Sequence, residues 1–302
     1  MLADLRAMIE SARGRVAVAV NSGLVMLNWN IGARIRREVL KDERAAYGQK
    51  IVATVSQQLA ASYGPGYSLT ALTRMVRFSE LFADPAVVST LMQQLTWSHF
   101  VLLIPIKDEF AREYYAEMCR IERWSVRTLR AKIDGLLFER TALAKKPEKL
   151  AREEIRALRK GDVMTPDMVF QDPLILEFLN LKSGSKESEL EDAILEQMEK
   201  FLLELGVGFS FIGRQKRIQV GAEDFYLDLL FYNRRMRRLV AIELKQGKFR
   251  PEYKGEMVEL DRGDMRVAEF KTIGVPKELL RSKLNEAIGT AREKFAGPAG
   301  GD

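Results

Sequence analysis

Residues 225–245, FYLDLLFYNRRMRRLVAIELK, set two apolar strand-like runs around an arginine-rich turn, with Asp228 in the first run and Glu243 and Lys245 in the second. No other segment constrains the fold as strongly. Leucine, aromatic and β-branched residues alternate on both sides of the polar Asn233-Arg234-Arg235-Met236, which predicts a β-hairpin. The strand period of two sends Glu243 and Lys245 to one face, and Val240, Ile242 and Leu244 to the other, into a core. With Arg234 and Arg235 as a two-residue turn, Asp228 lies opposite Ala241 and diagonal to Glu243, so the charged side chains converge on one face.

Carboxylates and a lysine amid apolar strands are costly to bury unless they are paired or bound to a cation. A hard divalent ion such as Mg2+ usually takes one or two protein carboxylates together with water and substrate phosphate, and Asp228 and Glu243 supply that number. Such an ion polarises a phosphodiester and acidifies water. Lys245 is then placed to stabilise charge developing on phosphorus. Glu-x-Lys alone is common on solvated strand faces; Asp228 at the matching hairpin position is what makes the pattern specific.

Asp228 followed by Glu243-Leu244-Lys245 resembles the active-site pattern of the PD-(D/E)xK nucleases, the restriction-endonuclease-like superfamily. More closely, FLLELGVGFSFIGRQKRIQV and FYLDLLFYNRRMRRLVAIELKQGKFRPEYKGEM resemble the nuclease domain of the YhcG-like family. NWNIGARI, YGQKIVATVSQQLAASYGPGYS and LTWSHFVLLIPIKD resemble that family's N-terminal domain. The resemblance implies a core of helix, three strands, helix and strand, with metal-dependent nuclease activity on DNA using Mg2+ or Mn2+. It assigns catalysis to Asp228, Glu243 and Lys245, with Leu227 standing where the general motif has proline. It also implies an acidic residue on the preceding helix, for which Glu191 in SELEDAILEQMEKFLLELG is the choice, although Glu189, Glu196 and Glu199 share that helix. Arg214 and Gln215, just before the strand RIQV, stand where the family carries the same residues and are candidates for phosphate contact.

Charge agrees with a polyanionic partner. The chain of 302 residues carries a net charge of +6, and its length suits two domains. From Phe211 to Lys254 there are eleven Lys or Arg and five acids, an excess of six that equals the charge of the whole chain. Lys216, Arg234, Arg235, Arg237, Arg238 and Lys248 in this cluster are candidate nucleic-acid contacts; such clustering predicts binding that falls steeply with salt. A solvated hairpin tip is the plain alternative.

One cysteine, Cys119, leaves no internal disulfide, and with the lone His99 the usual zinc spacings are excluded. His99, in TWSHFVLL, reads as a helix-packing residue. The charged N-terminus lacks a signal-peptide core, and no run of about 18 uncharged apolar residues suggests a membrane span. The expectation is a cytoplasmic protein with no membrane partner; a homo-oligomer is left open.

Residues 1–145 read as helical. LRAMIESARGRVAVAVNSGLVMLNWNIGARIRREVL has apolar positions three and four apart. A second helix ends at Gly64-Pro65-Gly66, and Ser68 can cap a third, SLTALTRMVRFSELF. Helix, glycine turn, helix is the outline of a helix-turn-helix, with Thr70, Thr73, Arg74 and Arg77 available to DNA; the family resemblance adds a winged-helix-like expectation. Pro105 breaks the pattern, Trp124-Ser125 opens another helix, and Trp97 and Trp124 read as core. A charged connector over 146–186 contains a polar helix bounded by Pro147 and Gly161 and ends in the joint KSGSK, before a nuclease domain at 187–296 and a tail at 297–302.

The expected fold is therefore α+β: a helical N-terminal domain followed by an α/β restriction-endonuclease-like domain. One departure from the family pattern stands out. Gly255-Glu256-Met257 passes almost directly into Val258-Glu259-Leu260-Asp261, as though most of one helix and one core strand were missing. That loss would expose an apolar strand edge and weaken metal binding. A metal-dependent DNA nuclease in recombination, repair or defence is the first functional expectation. The alternatives are a catalytically impaired DNA- or partner-binding protein on the same fold, and a module whose basic hairpin contacts acidic proteins.

Overall fold

Apolar residues spaced three and four apart make the N-terminal part helical, as the sequence predicts. The computed structural model describes residues 1–39, 45–181, 185–206, 208–220, 223–245, 268, 270–271 and 276–296. The chain divides into a unit spanning Met1–Gly135 and a unit spanning Leu136–Asp302.

The first unit contains α1 (Leu2–Val39), α2 (Ala45–Tyr63), α3 (Leu69–Leu81), α4 (Pro85–Leu91), α5 (Trp97–Leu103), α6 (Glu109–Glu122) and α7 (Val126–Asp134). No strand occurs among its described residues, so the wing that the family resemblance suggested has no counterpart there. α1 crosses α3 at Gly32, where a β-carbon would stand 1.9 Å from the Met75 carbonyl oxygen. Only glycine permits that approach. Beside the crossing, Ile31 and Ile35 pack on Val52, Leu72 and Met75.

Polar side chains of α1 close the open ends of its neighbours. Trp29 Nε1 donates to the Phe82 carbonyl at 2.8 Å, Arg36 to Ser79 at 3.0 Å, and Asn21 to Met92 and Leu95 at 3.2 and 3.1 Å. These carbonyls lie at or just past the C-termini of α3 and α4, where no intrahelical partner remains. α1 is also long and apolar enough to cross a membrane by length and composition, with a mean hydropathy of 1.3 over 18 residues. Its second half, with Val25 fully buried, instead packs within the folded unit, while Leu2, Leu5, Met8, Ile9 and Val16 are exposed.

Phe78 of α3 packs against Phe82, Trp97 and Phe100 with ring centroids 5.4, 5.4 and 4.7 Å away. His99 is a packing residue: Thr96 N donates to Nδ1 at 2.9 Å, which puts the proton on Nε2, 3.0 Å from the Trp124 carbonyl. Burial lowers its pKa, so the ring stays neutral. Cys119 is buried, and desolvation pushes its thiol up to about 12. α2 and α3 enclose a tight turn at Pro65–Tyr67, the helix-turn-helix outline. Ser68 occupies the N-cap of α3 but makes no side-chain cap bond, contrary to expectation. α7 begins after Ser125, whose hydroxyl accepts from Thr128 N at 3.1 Å.

In the second unit α8 (Glu148–Gly161) and α9 (Pro166–Val169) precede β1 (Leu174–Ile175). α8 lies in the segment read as a connector, and it buries Ala151, Ile155 and Leu158. Then come α10 (Glu187–Glu196), α11 (Met198–Leu205), β2 (Phe209–Val220), β3 (Glu223–Asn233), β4 (Arg238–Ile242), β5 (Phe270–Lys271) and α12 (Lys277–Ala296). β2, β3 and β4 form an antiparallel sheet in that order, and β1 pairs with β5 in parallel. The inner face of the sheet, with Leu229, Phe231 and Leu244, packs on Leu190 and Ile194 of α10 and Phe201 and Leu205 of α11. Val240 and Ile242 join that core, as the period of two requires. Truncating the fully buried Phe231 to alanine would cost about 3–5 kcal/mol. The segment expected to be shortened, after Met257, lies outside the described residues, as do Lys248 and the tail.

Candidate active site

The β3–β4 turn differs from the expected two residues. Asn233 pairs with Arg238, leaving Arg234–Arg237 as a four-residue turn. Its cause is local: the buried Asn233 Oδ1 accepts from the backbone N–H groups of Arg235 and Met236, both at 3.0 Å, and Arg237 takes the left-handed conformation with φ 54°. Two extra turn residues slide the register by two. The slide preserves which side chains share a face, because two is the strand period.

With Leu229 opposite Ile242, Asp228 falls opposite Glu243 rather than diagonal to it. β4 ends at Ile242, and beyond it side chains replace the backbone ladder. Leu244 N donates to Asp228 Oδ2 at 2.8 Å, and Asp228 N donates to Glu243 Oε1 at 3.4 Å. Lys245 Nζ is 4.0 Å from Glu243 Oε2. Burial, and then the neighbouring Asp228 charge, push the Glu243 carboxyl up to about 7; the Asp228 N–H and Lys245 pull the other way and lose. Two crowded carboxylates with so little compensation form an electrostatically unfinished pair.

Arg214 and Gln215 lie within β2 rather than before a strand. Gln215 takes φ 43° in mid-strand. Its Nε2 donates to Glu191 Oε2 at 2.9 Å and to Asp228 Oδ1 at 3.2 Å, so α10 and β3 are joined through one amide. Arg214 is ion-paired to Asp192 at 3.2 Å. The structure thus brings Asp228, Glu243, Lys245, Gln215 and Glu191 together.

The turn arginines are elsewhere. Arg234, Arg235, Arg237 and Arg238 are exposed at the other end of the hairpin, about 20 Å from Asp228 at 3.3 Å per strand residue. Lys216 is exposed on β2. Arg74 and Arg77 are exposed on α3 of the first unit, along with Thr70 and Thr73, and Arg77 pairs with Glu80 at 2.9 Å.

Among the described residues no three His, Cys, Asp or Glu side chains converge closely enough to hold a metal ion unaided. The donors present nonetheless suit a hard cation: two facing carboxylates, one with its affinity for a proton raised, and a third carboxylate linked through Gln215. Mg2+ commonly needs no more from a protein. The Gln215 connection was not anticipated from the residues. It could have been found by carrying the hairpin logic one strand back, since the β2–β3 register, with Arg214 opposite Leu229 and Lys216 opposite Leu227, sets Gln215 level with Asp228.

Residues 4–140 match the DUF1016 N-terminal domain, and residues 167–277 match the YhcG PDDEXK nuclease domain. A curated protein of Escherichia coli (strain K12), named "Putative nuclease YhcG", is 31% identical over 280 residues, covering 83% of this chain and 74% of that one. No solved structure matches.

Proposed function

Because the chain belongs to the YhcG family of PDDEXK-type nucleases, we propose that it is a Mg2+- or Mn2+-dependent deoxyribonuclease acting in the cytoplasm in DNA recombination, repair or defence. The observation that carries this reading is the facing pair Asp228 and Glu243, with Lys245 4.0 Å from Glu243. A divalent cation held there supplies Lewis acidity to the phosphodiester and acidifies the attacking water.

The chain's own residues do the rest. Asp228 and Glu243 fix the cation-binding oxygens at the end of the β3–β4 ladder, where Leu244 N holds one Asp228 oxygen at 2.8 Å. Glu191 completes the acidic edge from α10. Lys245 offers a positive charge beside the phosphate, where charge grows in the transition state. The exposed arginines of the turn bind the DNA backbone away from the reacting bond, and Lys216 and Lys248 add further phosphate contacts. Arg74 and Arg77 provide a second basic surface.

The test is cleavage of linear, supercoiled and branched DNA with Mg2+ or Mn2+, comparing the full chain with Asp228→Ala and Lys245→Ala. Cleavage by the wild type that both substitutions abolish is the expected result. Cleavage that survives both would place the chemistry elsewhere. Salt-sensitive DNA binding with no cleavage in any form would make the protein a binder on a nuclease fold.

A further inference from the structure

Gln215 has the left-handed φ of 43° inside β2, a strand of twelve residues. A non-glycine residue there carries backbone strain, which persists only where surrounding contacts enforce it. The contacts that do so are specific. Neighbouring strand residues ordinarily point to opposite faces, yet Arg214 and Gln215 reach adjacent residues of one helix: Arg214 bonds Asp192 at 3.2 Å and Gln215 bonds Glu191 at 2.9 Å. Arg214 stands opposite Leu229, on the face packed against α10, so it is the kink at Gln215 that brings the second side chain to the same helix.

The amide chemistry is equally pointed. Both of its partners are carboxylates, on Glu191 and Asp228, so the NH2 end and not the carbonyl must face them. Its two N–H bonds match two acceptors on different elements, at 2.9 and 3.2 Å. Left alone, those carboxylates would repel each other; with the amide between them they stay side by side.

Building on the proposed nuclease reading, we propose that Gln215 is a positioning residue, whose kinked backbone and side-chain amide hold Glu191 beside Asp228 so that the helix carboxylate joins the strand carboxylates in binding a divalent cation.

The experiment is calorimetric titration of Mn2+ into the full chain, with thermal melting of each variant. Gln215→Gly keeps the left-handed backbone at no steric cost and deletes the amide. Gln215→Asn also tolerates that backbone, with an amide one methylene too short to span both carboxylates. Both should stay folded, each with a single cooperative melt, and bind Mn2+ at least about tenfold more weakly, the usual scale for losing a residue that orients a metal ligand. Wild-type affinity in both variants, with Asp228→Ala abolishing binding, would overturn the positioning role and leave the nuclease reading standing. No Mn2+ binding by the wild type, or binding unaffected by Asp228→Ala, would overturn both. A merely structural kink predicts wild-type affinity in Gln215→Gly, since that variant relieves the strain.

Discussion

In the second unit Glu154 and Asp167 share Lys146, which makes an ion pair with each, whereas Asp228 and Glu243 face one another with Lys245 to one side, 4.0 Å from Glu243. A further carboxylate, Glu204, takes the first pattern: Arg140 donates to it at 2.6 Å, and Ile175 N donates to the same oxygen at 2.6 Å. Burial opposes the charge on Lys146, but the hydrogen bonds it donates to both acids, together with their negative charges, outweigh that, and it holds its proton more tightly than usual. Glu243 also holds its proton more tightly, but because burial and the neighbouring Asp228 disfavour its charge, and its carboxyl is pushed up to about 7. Carboxylates that serve the fold are neutralised by the chain itself. The pair at the end of β4 is left short of positive charge, the condition in which an added cation gains most.

Substitutions can break this contrast. The largest effect expected is on cleavage: Asp228→Ala and Lys245→Ala should each lose about a hundredfold to a thousandfold or more in kcat, whereas Lys146→Ala should leave kcat unchanged. Steady-state kinetics on one DNA substrate checks all three. Stability should move the opposite way. Arg140→Ala strands Glu204 and the Ile175 bond, and should cost about 3 kcal/mol in urea unfolding, while Glu243→Gln should cost nothing at neutral pH.

The pH dependence sharpens the point. The folded-state pKa of Glu243, about 7, lies above its ordinary value of 4.5. The folded protein therefore holds the extra proton between those values, and its stabilising contribution is present below pH 4.5 and lost as pH rises through 7. Denaturation in EDTA from pH 4.5 to 8 should show a decline that Glu243→Gln flattens. Saturating Mn2+ should flatten it too, because the cation replaces the proton. The smallest effect belongs to the turn. Arg234→Gln or Arg238→Gln should weaken DNA binding severalfold and reduce the salt slope by about one each, with kcat intact.

The division into helical and mixed parts was legible because periods of 3.6 and 2 write themselves into apolar spacing. The shared face of Glu243 and Lys245 was legible for the same reason, and it survived a wrong turn length because the error was a whole strand period. The turn itself was not. It depends on Asn233 Oδ1 capturing two backbone N–H groups, and asparagine in a polar stretch is equally consistent with a two-residue hairpin. The φ of Gln215 left no local signature either, since glutamine is not a residue chosen for that conformation. The helix α8 was expected, but its buried face was obscured by a charge-rich composition that hides three apolar positions on one side.

The crossing at Gly32 has a consequence for which sequences this first unit can accept. A β-carbon there would stand 1.9 Å from the Met75 carbonyl, and backbone cannot swing aside as a side chain can. The penalty is already prohibitive at the first carbon, so alanine is excluded along with every larger residue. Along the same helix Met8 and Val16 are exposed and can exchange for most residues at little cost. A single helix thus carries both the most permissive positions of the unit and one at which the genetic alphabet is reduced to a single letter.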